Sequence, residues 1–277
     1  MNNLMRAFFS LILLIVWLVL IAFVHSREAM AAEEVKVDST RAEVILITLY
    51  DNYQHDPNLK TGWGFSCLIK AGDKNILFDT GADSPTLLDN MKGLEIDPKD
   101  IHAIVLSHIH GDHTGGLSGI LKINHNLTVY LPKSFPNDFK KDVESFKAKV
   151  VEVGDPVEVT ERVSSTGELG TSMREQSLIV KTSRGLVVLT GCAHPGLVDI
   201  LKEVKKIKGE DIYLVLGGFH LLNMSESELK EVIKGFRALK VRKAAPCHCS
   251  GDKTRELFRE EYKEDFISNG VGKIIEL

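Results

Sequence analysis

Hydrophobic residues fall into one long uninterrupted run followed by many short ones. Residues 8–24 are almost wholly apolar, and Arg6 is the only charge before them. No polar face recurs at helical spacing, so the run does not read as an amphipathic helix covering a core. With the small-x-small site Ala29-Met30-Ala31 behind it, residues 1–31 read as a secretory signal peptide or a retained membrane anchor. The run is long for a signal, and a spanning helix needs roughly 20 residues. Either way, residues 32–43 read as a tether and the domain over 44–277 is expected outside the cytoplasm, touching the membrane only if the segment is uncleaved.

The short runs predict alternating elements. Residues 44–49, 65–69 and 75–78 are β-branched and apolar, and the turn Ala71-Gly72-Asp73-Lys74 joins the last two as a hairpin. A helix is predicted over 84–91, capped by Ser84 with Pro85 at its first position. Strands are predicted over 101–106 and 127–131, and an amphipathic helix over 139–146. In the second half, 178–181 and 186–190 pair across Ser183-Arg184-Gly185, and a helix covers 195–207. A strand at 212–216 precedes the capping box Ser225-Glu226-Ser227-Glu228, which opens a helix to about Leu239. A strand over 240–245 and a helix from Asp252 close the chain. Each half runs strands first, then strand–helix alternation, which implies an α/β domain of two packed sheets with helices outside.

Charge and cysteine content narrow the function classes. A net charge of -4 gives no global attraction for nucleic acid, and no basic run carries interleaved aromatics. Cys67, Cys192, Cys247 and Cys249 do not have the spacing of a disulfide framework, and three of them lie beside histidines.

The chemistry concentrates in Ser107-His108-Ile109-His110-Gly111-Asp112-His113. On extended backbone His108 and His110 face one way, and Gly111 lets the chain turn to bring Asp112 and His113 to the same cavity. Neutral imidazoles and a carboxylate suit a divalent cation: zinc first, with manganese or iron as alternatives, in one or two copies. His25, His55, His102 and His125 lie outside every motif.

This run, with Gly115-Gly116 after it, resembles the signature of the metallo-β-lactamase superfamily, and Leu77-Phe78-Asp79-Thr80-Gly81 resembles its early strand-end aspartate. Three further motifs, Gly191-Cys192-Ala193-His194, Gly217-Gly218-Phe219-His220 and Pro246-Cys247-His248-Cys249, resemble the branch of 7,8-dihydropterin-6-methyl-4-(β-D-ribofuranosyl)aminobenzene-5′-phosphate synthase. The resemblance implies a four-layer αββα sandwich with metals at one edge. It implies His108, His110, Asp112, His113, His194 and His248 as metal ligands, and Asp79 orienting a ligand histidine from behind. It implies Asp112 or His220 as the proton-handling group.

One departure from that pattern stands out. Gly191-Cys192 replaces the family's Gly-Asp, whose aspartate bridges two metals, and the usual mid-chain ligand histidine is missing around Met173-Arg174-Glu175-Gln176-Ser177. His194 is expected to supply the lost ligand. Cys192 is left as either a thiolate ligand or a packed thiol. The expected activity is hydrolysis of a small, anionic phosphoester or lactone-type substrate through a metal-bound hydroxide, since a bound cation lowers the pKa of water to about 7. Two alternatives stay open: the branch's condensation reaction, and a non-catalytic metal-binding or redox-sensing module.

Overall fold

Strands buried on both faces dictate the layering, because each must be covered twice. The computed structural model describes residues 42–277; the apolar run and most of the tether lie outside the described residues. Among the described residues no helix is long and apolar enough to cross a membrane. One mixed sheet contains β1 (Val44–Tyr50), β2 (Ser66–Ala71), β3 (Lys74–Phe78), β4 (Ala103–Val105), β5 (Thr128–Pro132), β6 (Lys149–Val153) and β13 (Ile274–Glu276), in the order β13-β1-β2-β3-β4-β5-β6. The other contains β7 (Val157–Glu158), β8 (Val163–Ser165), β9 (Leu178–Thr182), β10 (Gly185–Thr190), β11 (Ile212–Gly218) and β12 (Lys243–Cys247), in the order β12-β11-β10-β9-β8-β7.

Alternation along the strands builds three apolar layers. Val44, Leu46, Val187, Leu189, Leu214 and Leu216 point between the sheets. The opposite face of the first sheet, with Ile47, Leu49 and Leu77, is covered by α1 (Ser84–Gly93), α3 (Leu117–Ile123) and α4 (Asn137–Ser145). The outer face of the second, with Leu186, Val188 and Val215, is covered by α5 (Leu197–Lys208), α6 (Glu226–Ala238) and α7 (Asp252–Tyr262). The expected αββα layering is therefore observed.

Parallel pairing sets where function can sit. β3, β4 and β5 run parallel, with Phe78, Val105 and Tyr130 in register. So do β10, β11 and β12, with Thr190 opposite Gly217 and Gly218 opposite Cys247. Every motif singled out above follows the carboxyl end of one of these strands, where open α/β sheets bind their ligands.

Several boundaries differ from expectation. Asp83, not Ser84, caps α1: its side chain accepts from the Thr86 amide, while Ser84 Oγ donates to the Gly116 carbonyl. α2 (Gly111–Thr114) and α3 follow the histidine run and were not foreseen, since a single turn has no apolar period to show. α5 starts at Leu197 rather than Pro195 because Ala193 and Gly196 have φ of 63° and 100°, outside helical space. β6, β7, β8 and β13 are too short, or too exposed, to show alternation.

Phe219, Phe236 and Phe258 pack ring to ring, with centroids 5.1–5.7 Å apart, under the outer helices of the second sheet. Phe236→Ala should lower unfolding free energy by about 3–5 kcal/mol in guanidinium titration. A loss below about 1 kcal/mol would mean this layer relaxes into the space and is not close-packed.

Candidate metal centre

The strand ends deliver two separate donor clusters. His108, His110 and His194 each offer a ring nitrogen within 4.8 Å of the others; Asp112, His113 and His248 do the same. Cys192 lies beside both, with Sγ 3.2 Å from His113 Nε2, and forms a further group with His108 and His113. All six residues expected as ligands are thus brought together, in two sets of three.

Each buried imidazole is held from behind by a partner that fixes its tautomer. Ser107 Oγ donates to Asp79 Oδ2 at 2.7 Å, so at His108 Nδ1, 2.9 Å away, it accepts. That leaves the His108 Nε2 lone pair pointing at His110 Nδ1, 3.1 Å off. His113 donates Nδ1–H to Asp79 Oδ2 at 2.7 Å, His194 donates Nδ1–H to Glu175 Oε2 at 2.9 Å, and His248 Nδ1 faces Asn52 Oδ1 at 3.2 Å. His248 Nε2 is buried without a hydrogen bond; Asp112 Oδ2, 3.4 Å away, is its nearest opposite charge. Lone pairs converging from rigidly supported rings, with one orphaned inside, are a donor set that fits divalent cations.

Electrostatics agree with neutral, lone-pair-bearing rings at His108 and His113. Burial pushes His108 and His113 down to about 3, with the neighbouring histidines adding to the effect. Burial raises Asp79 to about 7 against the pull of His108 and the Ser107 amide. Burial also works to raise Asp112, but the His248 contact and the charge of His113 win and hold it below the usual carboxylate range. Burial works to lower His248, but the Asp112 contact together with the charges of Cys249 and Asp51 leaves it raised above the ordinary imidazole value.

Glu175 is the residue sequence reasoning missed. It occupies the segment where the family's ligand histidine is absent, yet it is buried, and its carboxylate accepts from the amides of Cys192, Ala193 and His194 as well as from the His194 ring. Burial alone would raise it; the His194 hydrogen bond and the charge of His108 reverse this and hold it at about 2. This glutamate aims the His194 ring. Asn52 and Ser107 were missed in the same role. A lone acid in an otherwise polar stretch gave little to single it out.

His220 is exposed just past the end of β11. Its amide donates to Cys249 Sγ at 3.3 Å, and its ring shares a donor group with Cys192 and Cys249. The Cys249 hydrogen bond raises it above the ordinary imidazole value. Backbone strain gathers at the same edge: Asp79, Ala193, His220 and His248 have φ of 56°, 63°, 52° and 49°. Cys67 and Cys247 lie between the sheets, away from the donor clusters.

Glu175→Gln keeps the size of the side chain but removes its charge. It should weaken metal binding by roughly 10–100-fold in competition with a chromophoric chelator. Unchanged affinity would show that His194 needs no charged partner.

Comparison with known proteins matches this geometry. Residues 64–246 match the model of the metallo-beta-lactamase superfamily. The chain is 32% identical, over 87% of its length and 97% of the relative's, to the 7,8-dihydropterin-6-methyl-4-(beta-D-ribofuranosyl)-aminobenzene-5'-phosphate synthase of Methanocaldococcus jannaschii. A solved metal-dependent hydrolase of the beta-lactamase superfamily superposes with a TM-score of 0.71 at 27% identity, covering 84% of this chain and 99% of that one. A diphosphatase of the PhnP family shares the fold, with a TM-score of 0.60 at 17% identity over 84% of this chain and 97% of its own. On the family match and the 32% identity, this chain is an enzyme of the metallo-β-lactamase superfamily.

Proposed function

We propose that the chain is a metal-dependent hydrolase of a small, anionic ester, a phosphoester or a lactone-type compound. The observation that carries the reading is the pair of three-residue donor clusters with every buried ring supported from behind. His108, His110 and His194 would hold one divalent cation, and Asp112, His113 and His248 a second. A cation there supplies Lewis acidity at the scissile bond. The chain's own residues do the rest. Asp112, part-exposed beside His113 and His248, is the group placed to take up or release a proton.

The preference for an anion rests on what flanks the site. A cavity of about 230 Å3 is lined by Ile109, between His108 and His110 in the chain, with Ser134, Phe135 and the segment Thr171-Ser172-Met173-Arg174. Arg174 is exposed, and its guanidinium pairs with Glu168 at 3.2 Å. An arginine fork beside hydroxyls favours phosphate or carboxylate.

A second reading is favoured by the 32% identity to the dihydropterin-linked synthase along almost the whole of both chains: the same site would then promote a condensation on a phosphorylated pterin-type substrate. Location separates the two. The apolar run over 8–24 supports export, and reduced pterins belong inside the cell. Membrane and periplasmic-type fractions should contain the protein; recovery wholly in soluble cytoplasm would favour the synthase reading.

His110→Ala should strip most bound metal, measured by elemental analysis, and abolish turnover in a panel of phosphomonoesters, phosphodiesters and lactones. Arg174→Ala should raise KM for anionic members roughly tenfold with little change in kcat, as expected on losing a charge-assisted contact. A fully metal-loaded parent that turns over no member of the panel would sink the hydrolase reading.

A further inference from the structure

Cys192, Cys249 and His220 form a fourth donor group, and the proposed hydrolase chemistry uses none of it as a unit. Cys192 Sγ and Cys249 Sγ are 3.4 Å apart, and with the His220 ring nitrogen all three donor atoms lie within 4.8 Å. Both cysteines are buried, whereas His220 is exposed. The chain makes room for them by close approach. A Cβ on Gly218 would lie 2.8 Å from Cys249 Sγ and 2.3 Å from the Gly191 carbonyl. Only glycine there lets the end of β11 come against the turn after β12. Left-handed backbone at His220, at a φ of 52°, turns its ring back over the sulphurs. Its ring centroid then sits 4.4 Å from that of His194.

We propose that Cys192, Cys249 and His220 bind a soft divalent cation of their own, distinct in chemistry from the cations of the histidine and carboxylate clusters. Two thiolates balance a 2+ charge, and sulphur donors select zinc, cadmium or cobalt over magnesium or calcium. A Cys2His set leaves a fourth position open, as catalytic zinc sites do, and the exposed face of His220 is where that position meets solvent. On binding, each thiol gives its proton to water and a metal–sulphur bond replaces the S–H bond; no electron is transferred. Cys192 also touches His113 Nε2, so its sulphur joins this position to the Asp112 cluster. With His220 committed to a cation, proton handling falls to Asp112 alone.

The test is cobalt(II) titration of the reduced, chelator-stripped full chain, followed by the near-ultraviolet absorption that arises only from thiolate-bound cobalt, with bound cobalt counted per chain. A thiolate band should appear in the parent. Cys249→Ser should weaken it and remove one cobalt per chain. His220→Asn changes an exposed side chain, and asparagine tolerates the left-handed backbone, so the fold survives; it should weaken the band-forming ion roughly tenfold or more. In His110→Ala the band should persist while another cobalt is lost, which separates this position from the one the hydrolase reading needs. A parent that binds cobalt without the band, or a band untouched by both Cys249→Ser and His220→Asn, would overturn the proposal. So would a parent whose mass under the same reducing conditions shows the two sulphurs joined.

Discussion

The edge of the sandwich is organised around the buried carboxylate of Asp79. It sits just past β3 and accepts from the Ser107 amide at 2.6 Å, the Ser107 hydroxyl at 2.7 Å and the His113 ring at 2.7 Å. Through Ser107 it also sets the proton on His108. One side chain therefore holds the end of β4, the start of α2 and one ring in each of the two ligand clusters. The second sheet closes against the same spot: a Cβ on Gly191 would lie 2.1 Å from Ser107 Oγ and 3.0 Å from Asp79 Oδ2. A buried charge with its donors removed costs about 3–5 kcal/mol. The arrangement thus survives only while all these groups stay in place, which couples the geometry of the site to the packing of the sheets.

Glu175 plays the matching part on the other sheet. Three amides and one ring converge on its carboxylate, so the turn after β10 is shaped by an acid that lies fifteen or more residues upstream of it. The two clusters differ in character as a result. In the first cluster His108 is backed by the Ser107 hydroxyl and His194 by the Glu175 carboxylate, whereas the Asp112 cluster carries its negative charge among its own donors. Cations held by the two clusters would not be equivalent in affinity or acidity.

Much of this was legible from the sequence, and for physical reasons. Apolar strands buried on both faces announce themselves, so β1, β2, β3, β10 and β11 fell near their expected places. The candidate ligands were readable because histidines two and three apart at a strand end have few other uses. The partners behind them were not. Glu175 and Asn52 come from segments whose local pattern says only polar loop, and their role, like that of Ser107, depends on contacts across the fold, such as the 196-residue separation between Asn52 and His248. α2 and the short strands β7 and β13 lacked the length to show a period. No spacing rule reveals that Cys249 lies against both His220 and Cys192.

The left-handed backbone at Asp79, Ala193, His220 and His248 limits how these positions can drift. Asn, Asp, His and Gly enter that region at little cost, while β-branched side chains do not. A descendant that abandoned the chemistry would thus be expected to keep small polar residues or glycine there. Exchange of His220 or His248 for asparagine would leave the architecture standing, and histidine could later return by a single substitution. The edge of this fold can in that sense lose an activity without losing the means of regaining one.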